Sequence, residues 1–289
     1  MTKKILITGA NGQLGHEMRN LLEGDSRFDC IFTDVAELDI CDAEAVNRAV
    51  TDNRVDYIVN CAAYTQVDKA EDNVELCRKI NAGAVENLAQ AAAQCGARMI
   101  HISTDYVFDG KGYRPYTEEM PPHPQSVYGA TKLEGEQALQ RFCPQSVIVR
   151  TAWLYSPYGN NFVKTMMRLG VEREELSVVA DQIGSPTCAA DLAQAILAIL
   201  QAETFVPGIY HFSNEGACSW YDFTVAIHRL AGITTCRVKP IRSDEYPSRA
   251  HRPFYSVLDK SRIKQTYGLT IPHWYESLSH CIKLLQETH

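Results

Sequence analysis

Apolar residues along this chain fall into short unbroken runs separated by longer stretches with helical spacing. Lys4-Ile5-Leu6-Ile7-Thr8 stops at Gly9. Such a run predicts a strand buried on both faces, because a strand with one wet face would alternate. Further strands are predicted over Asp29 to Thr33, Tyr57 to Cys61, Arg98 to Ser103 and Ser146 to Thr151. Helices are predicted for the stretch to Leu22, for Asp42 to Asn53, for Glu71 to Cys95 and for Ser126 to Phe142. In Glu71 to Cys95 the apolar set Leu76, Ile80, Ala84, Leu88 and Ala92 recurs at helical intervals. Strand alternating with helix argues an α/β fold, a parallel sheet wound on both faces. The second half continues with a helix from Asn160 to Glu172, a strand from Leu176 to Val179 and an apolar-striped helix from Cys188 to Ala202. Strands over Ile209 to Phe212 and Arg237 to Ile241 flank a helix from Tyr221 to Ala231, and an amphipathic helix from Pro272 to Glu287 closes the chain.

The first strand runs straight into Gly9-Ala10-Asn11-Gly12-Gln13-Leu14-Gly15. Strand, glycine turn and helix are the context in which a dinucleotide pyrophosphate rests on the N–H groups of a helix start. Side chains at Gly9 and Gly12 would block that approach, and Gly15 lets the helix pack tightly on the sheet. Asp34 ends the second strand about twenty residues further on, the spacing at which an acid meets the adenosine ribose. An acid there favours NADH, because a 2′-phosphate would meet a like charge. Asp39 either caps the following helix or reaches the adenine. Small residues after the third strand, Ala62-Ala63-Tyr64-Thr65, let the backbone approach a ribose or pyrophosphate.

Tyr128 and Lys132 lie four apart in a predicted helix and so share a face. An ordinary tyrosine is too weak an acid for catalysis at neutral pH, and a nearby ammonium favours its phenolate. Spacing alone therefore predicts a tyrosine tuned downward to trade protons with a carbonyl or alcohol. Thr104, at the end of the fourth strand, can offer its hydroxyl to the same oxygen, since ligands of such sheets bind beyond the strand carboxyl ends. Trp153 can stack on a sugar face or fill the core. Arg249, His251 and Arg252 make a local positive cluster that either docks a diphosphate or is a solvated loop.

The 289 residues carry a net charge of −7 with no basic block, which removes the electrostatic footprint of nucleic-acid or anionic-membrane binding. After Met1-Thr2-Lys3-Lys4 the apolar run is too short for a signal peptide, and no run approaches a membrane span. Ten cysteines are scattered with no C-x-x-C pair. They read as reduced thiols of a cytoplasmic protein, with no zinc site.

Taken together, these motifs resemble the extended short-chain dehydrogenases/reductases. Gly9 to Gly15, Ala62-Ala63-Tyr64-Thr65-x-Val67-Asp68, Ser103-Thr104-Asp105-Tyr106-Val107-Phe108-Asp109-Gly110 and Tyr128-Gly129-x-x-Lys132-x-x-Gly135-Glu136 resemble, within that class, the dTDP-4-dehydrorhamnose reductase family. Arg150-Thr151-x-Trp153-Leu154-Tyr155, Asp181-Gln182-x-Gly184-x-Pro186-Thr187 and Arg252-Pro253-x-x-Ser256-x-Leu258-Asp259 extend the resemblance to nearly the whole chain. It implies a Rossmann-like doubly wound parallel sheet with a smaller carboxy-terminal α/β substrate-binding domain. The first would take 1–152 with interleaved segments near 178–208, the second the remainder of 153–289. Implied too are NADPH or NADH as cofactor, a dTDP-sugar as substrate, and a monomer or homodimer. Tyr128 would be the acid, Lys132 would hold the nicotinamide ribose, and Thr104 would polarise the keto oxygen. Gly12, Gln13, Leu14, Asp34, Asp39, Ile40, Ala63, Tyr64 and Thr65 would line the cofactor; Thr104, Asp105 and Trp153 would meet the sugar. Some members hold Mg2+ through glutamates at a dimer contact; here Glu17 matches one position and Asp191 replaces another. The same tyrosine and lysine serve epimerases and 4,6-dehydratases, but a dehydratase carries Asp-Glu after the threonine, where this chain has Asp105-Tyr106. A non-catalytic regulatory subunit of methionine adenosyltransferase shares the fold and remains a third reading.

Overall fold

A computed structural model describes residues 2–287; the first and last two positions of the expected domain limits lie outside it. Strands β1 (Lys3–Thr8), β2 (Phe28–Thr33), β3 (Tyr57–Asn60), β4 (Arg98–Thr104) and β5 (Val147–Thr151) build one parallel sheet, joined at its edge by Gly208–His211. The order across the sheet is Gly208–His211, β5, β4, β3, β1, β2. Strand order reverses between β1 and β3, so a crevice opens beyond their carboxyl ends. Both loops singled out for their small residues, after Thr8 and after Asn60, leave the sheet at that crevice.

The unbroken apolar runs are explained by two cores. Ile5 and Ile7 of β1 pack with helix α1 (Gln13–Leu22) and the Ala189–Gln201 helix on one face. Leu6, between them, packs on the other face with α2 (Ala43–Asp52) and the Ala84–Cys95 helix. A third core gathers Tyr155, Val163, Phe223, Ile227, Trp274 and Leu278. It lies beside a parallel pair formed by Glu175–Val179 and Arg237–Ile241. Among the described residues no helix is long and apolar enough to cross a membrane, and all ten cysteines are free.

The structure departs from the sequence reading at one helix, decides one open alternative and adds one element. Glu71 to Cys95 is not one α-helix: Val74–Arg78 and Ala84–Cys95 are joined by a π-helical turn, Lys79–Gly83. Wider turns of this kind recur at functional sites, and this one turns Asn81 inward. Its amide accepts from the Tyr64 backbone N–H and donates to the Tyr64 carbonyl. Helix α2 is capped by Asp42, whose carboxylate accepts from the N–H groups of Glu44 and Ala45, and not by Asp39, which accepts from the Cys41 N–H. A short helix, Ser261–Tyr267, was not foreseen; it buries only Ile263, too little to leave a periodic signal.

Candidate active site

The glycine turn is shaped by contact. Gly9 has φ +66°, and a Cβ there would stand 2.7 Å from the Ala62 backbone. A Cβ on Gly15 would stand 2.3 Å from the Gly9 carbonyl oxygen, so only glycine lets α1 come this close to β1. Gly12 is the N-cap of α1 and supplies no capping side chain. The first-turn N–H groups of a ten-residue helix are left for an anion, and the helix dipole favours one there. This cradle fits a dinucleotide pyrophosphate.

A cavity of about 850 Å³ begins at that turn and runs across the carboxyl edge of the sheet. Its near wall is Gly9, Gly12, Gln13, Leu14, Asp34, Asp39 and Ile40; Ala62, Ala63 and Thr65 form the floor. Thr104, Asp105, Tyr128 and Lys132 line the same cavity, as do Trp153 and Arg252. Three expected cofactor residues do not line it. Asn11 turns its backbone N–H to Asp34 Oδ2 at 3.0 Å, Gly15 faces the strand, and Tyr64 is clamped by Asn81. Each shapes the wall from behind.

Ser126 caps the Val127–Phe142 helix, its hydroxyl accepting from the Gly129 N–H. A Cβ on Gly129 would stand 2.2 Å from the Tyr106 carbonyl oxygen, so Tyr128 is pressed against the end of β4. Burial pushes the Tyr128 phenol well above its ordinary range, while the neighbouring Thr104 hydroxyl favours the charged form. This reverses the expectation of a tyrosine tuned downward. Lys132 spends its shortest hydrogen bond on the Ile102 carbonyl at 2.6 Å, and its own burial pulls it down to about 8. Desolvation outweighs the attraction expected from spacing alone. Tyr128 stays protonated at neutral pH, the state required of an acid.

Asp105 is buried beside it and accepts from the Thr104 hydroxyl at 3.0 Å. Burial raises its carboxyl to about 7, against the hydroxyls of Thr104 and Ser256, which favour the charged form. The folded-state value is raised, so Asp105 contributes stability below about pH 4 and loses it as pH climbs toward its folded value. Asp105→Asn is therefore expected to raise the Tm at about pH 8, with the gain shrinking toward about pH 4. Thermal scans at the two pH values check this.

Trp153, with φ +50°, stacks on Trp220 with ring centroids 3.5 Å apart and planes 9° from parallel. Both rings line the cavity, so Trp153 joins cavity wall and aromatic packing at once. Tyr106 sets its ring edge-on to Tyr128 at 5.5 Å. Arg252 is ion-paired with Asp68, and Arg249 with Asp72; the positive loop, though exposed at Arg249 and His251, is fastened to the segment after β3. Glu17 and Asp191 come near enough for the charge of Asp191 to act on the Glu17 carboxyl. Burial favours the neutral acid of Glu17, and Asp191 Oδ2 accepts from Asn214 and Ser277. Among the described residues no group of three or more His, Cys, Asp or Glu side chains could hold a metal ion. Trp220, Asn60 and His101 were missed by reasoning from sequence, because contacts distant along the chain give them their places; Tyr106 stood in the quoted Thr104-Asp105-Tyr106 motif with no role assigned.

A nucleotide cradle that shares one cavity with a protonated tyrosine and a buried lysine defines an extended short-chain dehydrogenase/reductase. Comparison with known proteins narrows this. The family model described as the RmlD substrate binding domain matches residues 3–287. A dTDP-4-dehydrorhamnose reductase of Aggregatibacter actinomycetemcomitans is 41% identical over 286 residues, covering 96% of this chain and 97% of its own. The crystal structure of a dTDP-4-dehydrorhamnose reductase from Clostridium acetobutylicum superposes with a TM-score of 0.94 at 48% identity, covering 98% of this chain and 99% of its own. One from Bacillus anthracis, in complex with NADP, also gives 0.94, at 43% identity over 98% of this chain and 100% of its own. The chain belongs to the dTDP-4-dehydrorhamnose reductases, oxidoreductases that use a nicotinamide dinucleotide.

Proposed function

We propose that the chain reduces the 4-keto group of dTDP-4-dehydro-L-rhamnose to dTDP-L-rhamnose, the last step in making that sugar nucleotide, with Tyr128 as the acid. The observation that carries this reading is that Thr104, Tyr128 and Lys132 line one cavity together with Gly9 and Gly12 of the glycine turn. In this reading 1–152 and segments near 178–208 hold the cofactor, and the rest of 153–289 holds the sugar nucleotide. The reduced nicotinamide, when bound, supplies the hydride. With substrate in place the Thr104 hydroxyl turns its one proton from Asp105 to the keto oxygen and draws charge toward it. Tyr128 gives its phenolic proton to that oxygen as it becomes an alkoxide. Positioning of this kind converts an encounter of separate partners into a reaction within one complex. Trp153 and Trp220 offer a flat apolar face to the sugar, and Arg252 a guanidinium to the diphosphate.

Purified protein given dTDP-4-dehydro-L-rhamnose and NADPH or NADH is expected to form dTDP-L-rhamnose. Folded protein that forms none with either cofactor would refute the reading. Asp34 also frames cofactor choice. Asp34 stands at the cavity wall, held there by the Asn11 and Val35 backbone N–H groups, which donate to its carboxylate. Asp34→Asn is expected to shift the ratio of kcat/KM toward NADPH by on the order of tenfold, since one like charge facing a 2′-phosphate is removed. Parallel assays with the two cofactors check it.

A further inference from the structure

Behind Lys132 lies a buried chain of hydrogen bonds whose direction can be worked out. Asn60 Oδ1 accepts from the Ala62 backbone N–H at 3.1 Å and from the Thr8 hydroxyl at 2.7 Å. A backbone N–H can only donate, so this end of the amide is its oxygen. The other end, Nδ2, therefore donates to His101 Nδ1 at 3.0 Å, and Nδ1 carries no proton. Burial, and next the charge of Lys132, hold His101 well below its ordinary range, so the ring is neutral and its one proton sits on Nε2. That nitrogen stands 3.4 Å from Lys132 Nζ. An N–H aimed at an ammonium meets a donor; aimed at a neutral amine it meets a lone pair.

We propose that His101, its tautomer set by Asn60, is a positioning residue that stabilises the neutral amine of Lys132 and so lets that lysine recharge Tyr128 after each turnover. The proposal rests on the reductase reading. Tyr128 gives its proton to the sugar alkoxide and is left a phenolate. The Lys132 ammonium then loses one proton as the phenolate regains its O–H, directly or through an intervening hydroxyl. The lone pair freed on Nζ accepts from His101 Nε2–H, and solvent later returns a proton to the lysine. The other groups facing Nζ act the opposite way. Glu136, one turn on along the same helix, and Cys77, from the Val74–Arg78 helix, both favour the ammonium. Glu136 is itself held by Arg150 and Ser103. Burial and the direction of the His101 N–H are what oppose them.

The test is NMR on the full chain, with 15N-labelled histidine and 13C-labelled lysine. His101 is expected to show its proton on Nε2 across neutral pH, and one lysine to titrate at least about one unit below the ordinary lysine value. His101→Gln places a carbonyl oxygen within reach of the ammonium, and the midpoint of that lysine is expected to rise by about one unit. The alkaline limb of kcat should move up with it, while KM for the cofactor changes little. A proton on Nδ1 in the wild type, or an alkaline limb unmoved in the variant, would overturn the proposal. The wild-type tautomer decides even where the variant does not fold. Absence of turnover in every form would count against the reductase reading and leave the NMR result standing.

Discussion

Tyr128→Phe is expected to lower kcat by about 10²–10⁴-fold, the range supplied by a positioned general acid. The phenol touches the reacting oxygen only through its hydroxyl, so the ring and its edge-on contact with Tyr106 should survive the change. The glycine turn, Asp34 and Lys132 remain in place, and the dissociation constant for the cofactor should move by only a few-fold. Fluorescence titration of the reduced nicotinamide, beside steady-state rates, separates the two. Cofactor affinity lost in step with kcat would mean that Tyr128 serves binding and not proton transfer.

A comparable loss, in stability, is expected from Glu136→Leu. Glu136 and Arg150 are both buried and form a two-pronged pair at 2.9 and 2.7 Å. The Ser103 hydroxyl donates to the same carboxylate, and the Phe108 ring lies over the guanidinium, 5.1 Å from its carbon. These bonds tie the helix of Tyr128 to β4 and β5. Removing the carboxylate leaves a guanidinium in the core with nothing to balance it, at a cost of about 3–5 kcal/mol. Adding Arg150→Met should recover much of that loss, because an apolar pair of similar volume avoids the desolvation of both charges. Urea unfolding of the single and double variants checks both statements. A double variant no more stable than the single one would show that the pair acts through more than its charge.

Much of the site was legible in the sequence because its chemistry is local. Gly9, Gly12 and Gly15 needed only their spacing and a preceding apolar run; Gly9 and Gly15 each have a contact that accounts for them, and Gly12 starts the helix with no side chain over its N–H groups. Ile5, Leu6 and Ile7 announced a strand covered on both faces, and two separate cores cover it. What spacing could not supply was the environment. Tyr128 and Lys132 share a helix face as predicted, yet burial reverses the expected direction of the tyrosine's shift. Asp39 was open to capping the next helix or reaching the adenine, and the backbone path gives the cap to Asp42 instead. Arg252 showed in the sequence only as part of a local positive cluster; its ion pair with Asp68, distant along the chain, needed the fold. Trp220 carries no signature of its own; it matters because Trp153 lies flat against it. The π-helical turn at Lys79–Gly83 keeps apolar periodicity on either side, and so it passed for continuous α-helix.

The central claim is that this site delivers a hydride to the sugar and a Tyr128 proton to its oxygen. The most direct measurement is product NMR after reaction with nicotinamide cofactor carrying deuterium at C4 of the reduced ring. Deuterium at C4 of the product sugar, with one cofactor oxidised per sugar reduced, is the result predicted. A sugar altered without deuterium, or altered while the cofactor stays reduced, would contradict it and point to an epimerase on the same scaffold.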